Sequence, residues 1–353
     1  MKLTSSFHRM QLPREVVIGK ETIESVAEIS KKLGFTKSAL LIAGSKTYEV
    51  AGKTVKEILE KEGMKIQTFL TEKALIKDAE AAEETIARTK PEIVFGVGGG
   101  TKIDVAKYSS SRQGIPFISI PTTASHDGIA SPLSSIKGLS KPYSVMAQAP
   151  LAIIADTNII MKAPWRLAIN GCGDVISKIT AVEDWKLARK DKGEYYGEYA
   201  ASLALMSARL VMENANLIQP NNEEGLRVLL EALISCGVAM SIAGSSRPCS
   251  GSEHMFSHAL DTIKPCCAMH GEQCGVGAIM MAYLHGMDWR KIRDTLEKLG
   301  APINAAELGV AKDDVVKALE IAVSIRPERY TILSKKNLSR ESCEKVAKAT
   351  EVI

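Results

Sequence analysis

The sequence has few aromatic residues, no block of like charge, no Cys-x-x-Cys pair and no apolar run long enough to cross a bilayer. Aromatic residues make up 5% of the 353 residues, and 45 basic against 41 acidic residues give a net charge of +4. Such an even balance argues against a nucleic-acid-binding or polybasic membrane surface and leaves a charged small substrate open. The seven cysteines, an odd number without paired spacing, fit a reducing compartment rather than a disulfide framework.

Segments that would direct the chain to a membrane are also missing. Residues 1–6 carry no apolar signal-peptide region, and the longest apolar stretch, 276–284, is too short to span a bilayer. We therefore expect a cytoplasmic protein that does not span a membrane. A hydrophobic content of 45% allows a full core and favours two domains.

The two halves of the chain differ in hydrophobic periodicity. Alternating β-branched runs and helical patterns in the first half predict a sheet with helices on its faces. Strands are predicted at 39–43, 65–70, 93–97, 117–120 and, as a fifth candidate, 152–155, with helices at 23–33, 53–62 and 78–90. The later segments 199–217, 223–242, 273–285 and 313–323 have helical period only. This predicts an α/β Rossmann-like nucleotide-binding domain over 1–162 and an all-α metal- and substrate-binding domain over 163–353, divided at a proline turn.

Three consecutive glycines, Gly98, Gly99 and Gly100, end a predicted strand and open a helix. Glycine lets the backbone approach phosphate oxygens closely, and a helix N-terminus favours an anion. The loop therefore suggests a pyrophosphate site. A tight turn is the alternative, because the pattern matches neither the spaced dinucleotide fingerprint nor the ATP-binding loop.

A hydroxyl-rich loop follows the predicted strand 117–120. Loops at the C-terminal ends of strands are where α/β proteins bind ligands. Thr122, Thr123 and Ser131 can donate hydrogen bonds to a phosphate or a nicotinamide amide, and Asp127 can hold a substrate hydroxyl. A solvated turn is the alternative for this segment.

Three of the six histidines fall within 17 residues, at positions 254, 258 and 270. His254 and His258 are four residues apart, so on a helix both rings project from one face. Asp174, His254 and His270 can supply the three protein ligands of a catalytic metal, which is lost as pH falls because its ligands must be deprotonated. A thiolate site at Cys249, Cys266, Cys267 and Cys274 is a weaker alternative, since free cysteine is commonly a buried hydrophobe.

Five segments together resemble the iron-type alcohol dehydrogenase and dehydroquinate synthase superfamily. They are the glycine loop, the segment Ser119-Ile120-Pro121-Thr122-Thr123, the Asp174 segment and the two histidine segments. Within it, residues 124–132 and 246–254 resemble the archaeal sn-glycerol-1-phosphate dehydrogenases. The resemblance implies reduction of dihydroxyacetone phosphate to sn-glycerol 1-phosphate with NADPH or NADH, one zinc ion per subunit and a role in ether phospholipid biosynthesis. It also implies a homo-oligomer.

Residue roles follow from the same resemblance. It implies zinc ligation by Asp174, His254 and His270, and substrate contacts from Asp127, Asp174 and His258. His258 and Asp127 are the expected catalytic residues, with His258 or water delivering a proton, although the second histidine of such a pair ligates the metal in some iron-type relatives. The cofactor contacts that it implies come from Gly98, Gly99, Gly100, Thr101, Lys102, Asp104, Thr122, Thr123 and Ser131.

Two binding preferences are read from the residues themselves. No acid occurs at 43–46, where many NAD-specific folds place one, so we expect NADPH to be used at least as well as NADH, with Ser45 or Lys46 near the 2′-phosphate. Arg247 and the turn at 250–252 are a candidate site for the substrate phosphate, with a surface ion pair as the alternative role of Arg247.

Other functions remain open on the sequence. A glycerol or polyol dehydrogenase would need no phosphate site, and a dehydroquinate synthase-like lyase would regenerate its dinucleotide. A non-catalytic nucleotide-binding protein would bind NADPH without turnover. The ligand set itself accommodates zinc, iron, nickel or manganese.

Overall fold

The computed structural model describes residues 10–138, 144–265 and 267–353. Its N-terminal half is built on a parallel six-stranded sheet of order β1-β8-β5-β4-β2-β3. The strands, with a short hairpin made by the sixth and seventh, are β1 Glu15–Gly19, β2 Ser38–Ala43, β3 Lys65–Leu70, β4 Ile93–Gly98, β5 Phe117–Pro121, β6 Leu133–Ser134, β7 Val145–Met146 and β8 Ala152–Asp156. All five predicted strands are confirmed, whereas β1 and the hairpin were not predicted.

Helices cover both faces of this sheet, which is why its strands read as continuous apolar runs. In β2, Leu40 and Ile42 pack into the core on one face, and Leu41 and Ala43 into the core on the other. The helices of this half are α1 Val26–Lys32, α2 Ser45–Thr47, α3 Lys53–Lys61, α4 Ile76–Thr89, α5 Gly100–Arg112 and α6 Thr157–Ile160.

The rest of the described chain is helical. Its helices are α7 Arg166–Ile176, α8 Lys178–Lys192, α9 Glu198–Glu213, α10 Glu223–Ala243, α11 Ser252–Ile263, α12 His270–Leu284, α13 Trp289–Leu299, α14 Lys312–Ile325, α15 Ile332–Lys336 and α16 Arg340–Ala349. The predicted helices correspond to α9, α10, α12 and α14. The fold class is thereby confirmed, while the division at 162/163 stays a prediction.

Helix α10, with 21 residues, is the longest of the described helices. Within the described ranges it is the one helix long and apolar enough to cross a membrane by length and composition, and 72% of its 18-residue apolar window is buried inside the protein. Its N-cap Asn222 accepts a hydrogen bond from the backbone N–H of Gly225, and Gly244 ends it in the left-handed region at φ +63°.

Candidate active site

The glycine loop is tightly packed where β4 passes into α5. Gly98 has φ +151°, and a Cβ there would lie 2.9 Å from Cβ of Lys102. A Cβ on Gly100 would lie 1.5 Å from Nε2 of His126. His126 is fixed in turn, because its Nδ1 accepts a hydrogen bond from the Gly128 N–H at 2.9 Å. His126 was not predicted as a site residue, because its only signal in the sequence was its place in the hydroxyl-rich loop.

Two of the side chains that follow the glycines in α5, those of Lys102 and Asp104, have partners within the protein. Thr101 is exposed. Lys102 donates from Nζ to the Glu72 carbonyl at 2.9 Å. Asp104 is buried, and its carboxylate accepts from the Ser135 N–H at 3.2 Å and from Lys107 at 3.3 Å. Asp104 thus anchors the following loop from inside the protein, and the structure does not bring it to an open surface with the glycines.

A carboxylate lies beside the predicted 2′-phosphate position. The exposed Lys46 and Ser45 follow β2, and the Ser45 N–H donates to Oε1 of Glu72 at 2.8 Å. This hydrogen bonding to Ser45 lowers the pKa of Glu72. The absence of an acid at 43–46 therefore does not leave this position without a carboxylate, because Glu72 arrives from the end of β3, the neighbouring strand.

The hydroxyl-rich loop runs against the glycine loop. The Thr122 N–H donates to the Gly98 carbonyl at 3.0 Å, and a Cβ on Gly99 would lie 3.3 Å from Oγ1 of Thr123. Ser131 is farther along the same loop, is buried, and donates weakly to the Leu133 carbonyl at 3.4 Å. The structure thus brings Thr122 and Thr123 to the glycines.

Lys178, which was not predicted as a site residue, joins the two predicted substrate carboxylates. Its fully buried Nζ lies 2.8 Å from Asp127 Oδ2 and 2.5 Å from Asp174 Oδ1. Asp174 Oδ2 also accepts from the Asp127 N–H at 2.9 Å. Burial alone would lower the pKa of Lys178 and raise that of Asp174. The charges of Asp127 and Asp174 outweigh burial at Lys178, so its pKa lies well above its ordinary value. The charge of Lys178 and the contact with His254 outweigh burial at Asp174, so its pKa lies well below its ordinary value.

The predicted metal ligands converge beside this carboxylate pair. Asp174 Oδ1 lies 3.6 Å from His254 Nε2, and the rings of His254 and His270 have centroids 4.9 Å apart. Two ligands bound at about 2.0–2.1 Å to tetrahedral zinc would be about 3.4 Å apart. The Nδ1 of His254 faces Glu253 Oε1 at 2.8 Å, a carboxylate contact that orients Nε2 toward Asp174.

A cysteine adds a further ligand atom to this group. Cys274 lies one helical turn after His270, with Sγ 3.6 Å from His270 Nε2. The ligand atoms of His254, His270 and Cys274 all lie within 4.8 Å of one another. The i,i+4 spacing from His270 could have identified Cys274. Of the other thiols considered, Cys249 donates to the Cys236 carbonyl, and Cys266 lies outside the described residues.

His258 lies against the same group from α11. Its ring stacks on that of His270 with centroids 5.7 Å apart. Burial, followed by the positive charges of His254, Arg326 and Arg329, lowers the pKa of His258 to about 3. His258 is therefore neutral at physiological pH. A neutral imidazole can relay a proton but holds no extra one to give.

Arg247 is occupied within the protein. It is buried, pairs with Glu194 through Nε at 2.6 Å and through its terminal nitrogen, and donates to the Tyr330 carbonyl at 3.0 Å. The turn at 250–252 is also occupied: its N–H groups at Gly251 and Ser252 donate to carboxylates at 2.6 and 2.7 Å. The structure therefore does not leave these donors for a substrate phosphate, and Arg247 is the buried member of an ion pair whose Glu194 side chain is 35% exposed.

Comparisons with known proteins agree with this arrangement. The profile of a family described as iron-containing alcohol dehydrogenase matches residues 17–164. The glycerol-1-phosphate dehydrogenase [NAD(P)+] of Pyrococcus furiosus is 54% identical over 346 residues, covering 98% of this chain and 100% of its own. That of Methanosarcina mazei is 53% identical over 356 residues and all of both chains. The solved glycerol dehydrogenase of Schizosaccharomyces pombe has a TM-score of 0.82 over 98% of this chain and 91% of its own, at 22% identity.

Proposed function

The chain belongs to the glycerol-1-phosphate dehydrogenase family of iron-type alcohol dehydrogenases, and from that premise we propose that it reduces dihydroxyacetone phosphate to sn-glycerol 1-phosphate with NAD(P)H. The product is the glycerol phosphate from which archaeal ether phospholipids are built. The observation that carries the proposal is the loop at 122–131, which packs on the glycine loop through His126 and on Asp174 through Asp127.

We propose that Asp174, His254 and His270 hold a zinc ion, with the Cys274 thiol within reach. The donor set fits: two imidazole nitrogens and a soft sulfur lie within 4.8 Å of one another, and a carboxylate oxygen of the buried Asp174 lies 3.6 Å from His254 Nε2. Sulfur and imidazole together favour zinc over magnesium or manganese. Bound zinc supplies a Lewis acid at the ketone oxygen.

The dinucleotide is proposed to lie along Gly98 to Gly100, with its nicotinamide end toward Thr122, Thr123 and Ser131. Bound NAD(P)H supplies the hydride. The residues of this chain orient it: glycine packing leaves the backbone close to the pyrophosphate, and the loop hydroxyls hold the amide. Lys102 and Asp104 are proposed to support the dinucleotide indirectly, by holding the shape of the glycine loop, because both side chains have protein partners.

Asp127 is proposed to bind the substrate, and His258 is proposed to relay a proton to it. Lys178 pairs with the Asp127 carboxylate at 2.8 Å and fixes its position, so that it can accept a hydrogen bond from a substrate hydroxyl. The neutral His258 relays a proton from water to the reduced oxygen. The substitution His258→Ala should then lower kcat and change the pH profile, and a variant with wild-type turnover and profile would contradict this role.

One assay tests the reaction as a whole. Purified protein should consume one NADPH for each dihydroxyacetone phosphate reduced, lose activity on chelation and regain it with zinc. Comparable turnover of glycerol and glycerol 1-phosphate would favour a polyol dehydrogenase. Product formation without net NADPH consumption would favour a lyase of the dehydroquinate synthase type.

We also propose that the protein is a cytoplasmic homo-oligomer. On α9, Tyr199, Met206 and Leu210 are exposed by 72%, 51% and 42%, and their spacing puts them on one helix face. Such a row of exposed apolar side chains supports self-association. Sedimentation at several concentrations tests it, and Met206→Glu should shift any oligomer toward monomer.

A further inference from the structure

Asn170, in α7, joins two segments of the candidate site through one buried amide group. It lies four residues before Asp174 and is 5% exposed. Its Nδ2 donates to the Ser125 carbonyl at 2.6 Å, and its Oδ1 accepts from the N–H groups of Gly271 and Glu272 at 2.7 and 3.2 Å. A carbonyl can only accept and an N–H can only donate, so these partners fix which amide atom is the oxygen. The side chain therefore ties the hydroxyl-rich loop to the start of α12.

Helix α12 receives its N-terminal cap from this amide. The first N–H groups of a helix have no partner within the helix and need acceptors from elsewhere. The N-cap residue of α12 is Met269, which makes no side-chain cap hydrogen bond. Asn170 supplies that acceptor from α7, and the two helices touch there, because a Cβ on Gly271 would lie 1.9 Å from the Asn170 carbonyl oxygen. The first residue of α12 is the proposed metal ligand His270, so the cap also fixes the backbone that carries this imidazole.

The loop is fastened to α7 at two points. Asn170 holds the Ser125 carbonyl, and Asp174, one helical turn later, accepts from the Asp127 N–H at 2.9 Å. Between these bonds the two backbones are in close contact, because a Cβ on Gly171 would lie 2.1 Å from a carbonyl oxygen of the loop. The Asn170 bond thus sets how the Asp127 segment lies against the helix that carries Asp174.

We propose that Asn170 is a positioning residue that holds the substrate-binding Asp127 and the metal ligand His270 in a fixed relation. Its amide nitrogen acts on substrate binding through the loop. Its amide oxygen acts on metal affinity through the N-terminus of α12. The two effects are separable, because the two atoms hold different segments. The inference rests on the proposed function for the identity of the substrate and the metal.

The first test removes both halves of the amide at similar volume. In Asn170→Leu, the zinc affinity, measured by competition with a chromogenic chelator, should fall about 10-fold, as when a group that orients a metal ligand is lost. In zinc-saturated enzyme, KM for dihydroxyacetone phosphate should rise about 10-fold. The KM for NADPH should change less than about threefold, because the Thr122 N–H keeps its own bond to the Gly98 carbonyl.

A second variant separates the two halves. At about pH 8, Asn170→Asp keeps an acceptor for the N–H groups of α12 but turns a carboxylate oxygen toward the Ser125 carbonyl, where two acceptors repel each other. The KM for dihydroxyacetone phosphate should rise about 10-fold, while zinc affinity should stay within about threefold of the wild type. A zinc affinity lowered as much as in Asn170→Leu, or an unchanged KM, would contradict the separate roles of the two atoms.

The matched control is Asn222→Leu. Asn222 is the N-cap of α10 and accepts from the Gly225 N–H at 3.0 Å, so its loss also removes a helix cap. Thermal midpoints of the metal-free variants compare the structural cost of each change. Asn222→Leu should lower the midpoint and leave zinc affinity and both KM values unchanged.

The outcomes also separate this inference from the proposed function. If Asn170→Leu lowers the thermal midpoint but keeps wild-type zinc affinity and KM, Asn170 is merely structural and the proposal is overturned. If Asn170→Leu does not fold, a wild-type KM in Asn170→Asp overturns it. If the wild type fails to reduce dihydroxyacetone phosphate while Asn170→Leu, unlike Asn222→Leu, still binds zinc more weakly, the proposed function fails and the positioning of His270 stands.

Discussion

Replacing Lys178 with methionine removes the only side-chain cation that touches both Asp127 and Asp174 among the described residues. The lysine side chain is 0% exposed, and the carboxylates are 15% and 2% exposed. Breaking a buried pair by deleting one partner costs about 3–5 kcal/mol, because the other charge stays buried without compensation. Methionine keeps most of the volume, so the loss reports charge rather than a cavity.

Urea unfolding of metal-free protein measures this cost. With an m value of about 3 kcal/mol per M, the midpoint of Lys178→Met should fall by about 1–1.7 M. The matched control is Lys186→Met on the same helix, where an exposed lysine pairs with Glu183 at 2.6 Å. That pair contributes about 0–1 kcal/mol. A shift for Lys178→Met no larger than that of Lys186→Met would refute the reasoning.

Three further predictions concern the cofactor and the metal. Glu72→Gln should raise the ratio of kcat/KM for NADPH to kcat/KM for NADH about 3- to 10-fold, because it removes a carboxylate beside Ser45. The control Glu62→Gln, which lies before the opposite end of β3, should leave this ratio unchanged. An unaltered ratio in Glu72→Gln argues against a 2′-phosphate beside Ser45. Gly100→Ala should destabilise the protein by about 1–3 kcal/mol in thermal unfolding and weaken NADPH binding, because the new methyl group meets the His126 ring. Adding His126→Ala should restore part of the stability and part of the NADPH affinity. If neither is restored, the methyl group clashes with something other than His126. Cobalt-substituted protein should show a sulfur-to-cobalt absorption band that the Cys274→Val variant lacks. The bound cobalt should dissociate as pH falls. An identical spectrum in the variant excludes the Cys274 thiolate as a ligand.

The sheet was predictable from sequence where its strands are buried on both faces. Strands β2, β4 and β5 are continuous apolar runs, and their burial pattern agrees. Strand β1 was missed because it is a short edge strand, half-buried along most of its length. Helix α7 was missed because Gly171 and Gly173 lie within it, and glycine is unfavourable in a helix interior.

The residues of the candidate site were likewise predicted only in part. Asp174, His254 and His270 were found because their residue types, together with the family resemblance, point to a metal. Glu72 was missed because it becomes significant only through a tertiary contact: it reaches Ser45 because β3 lies beside β2 in the sheet. Lys178 lies four residues after Asp174, a spacing visible in the sequence, but its contact with Asp127 depends on the fold. Strand order cannot be read from a single sequence.

The pairing of β1 with β8 bears on how the protein is made. Residues 15–19 bond in register with 152–156, so the first strand has no partner until the ribosome has synthesised the last one. At about 5–20 residues per second, the chain between Gly19 and Ala152 takes roughly 7–27 s to appear. During that time β2, β3, β4 and β5 can pair among themselves. Docking of β1 is therefore a late step of N-terminal folding during translation, and a nascent chain halted before β8 would carry an unpaired β1 segment.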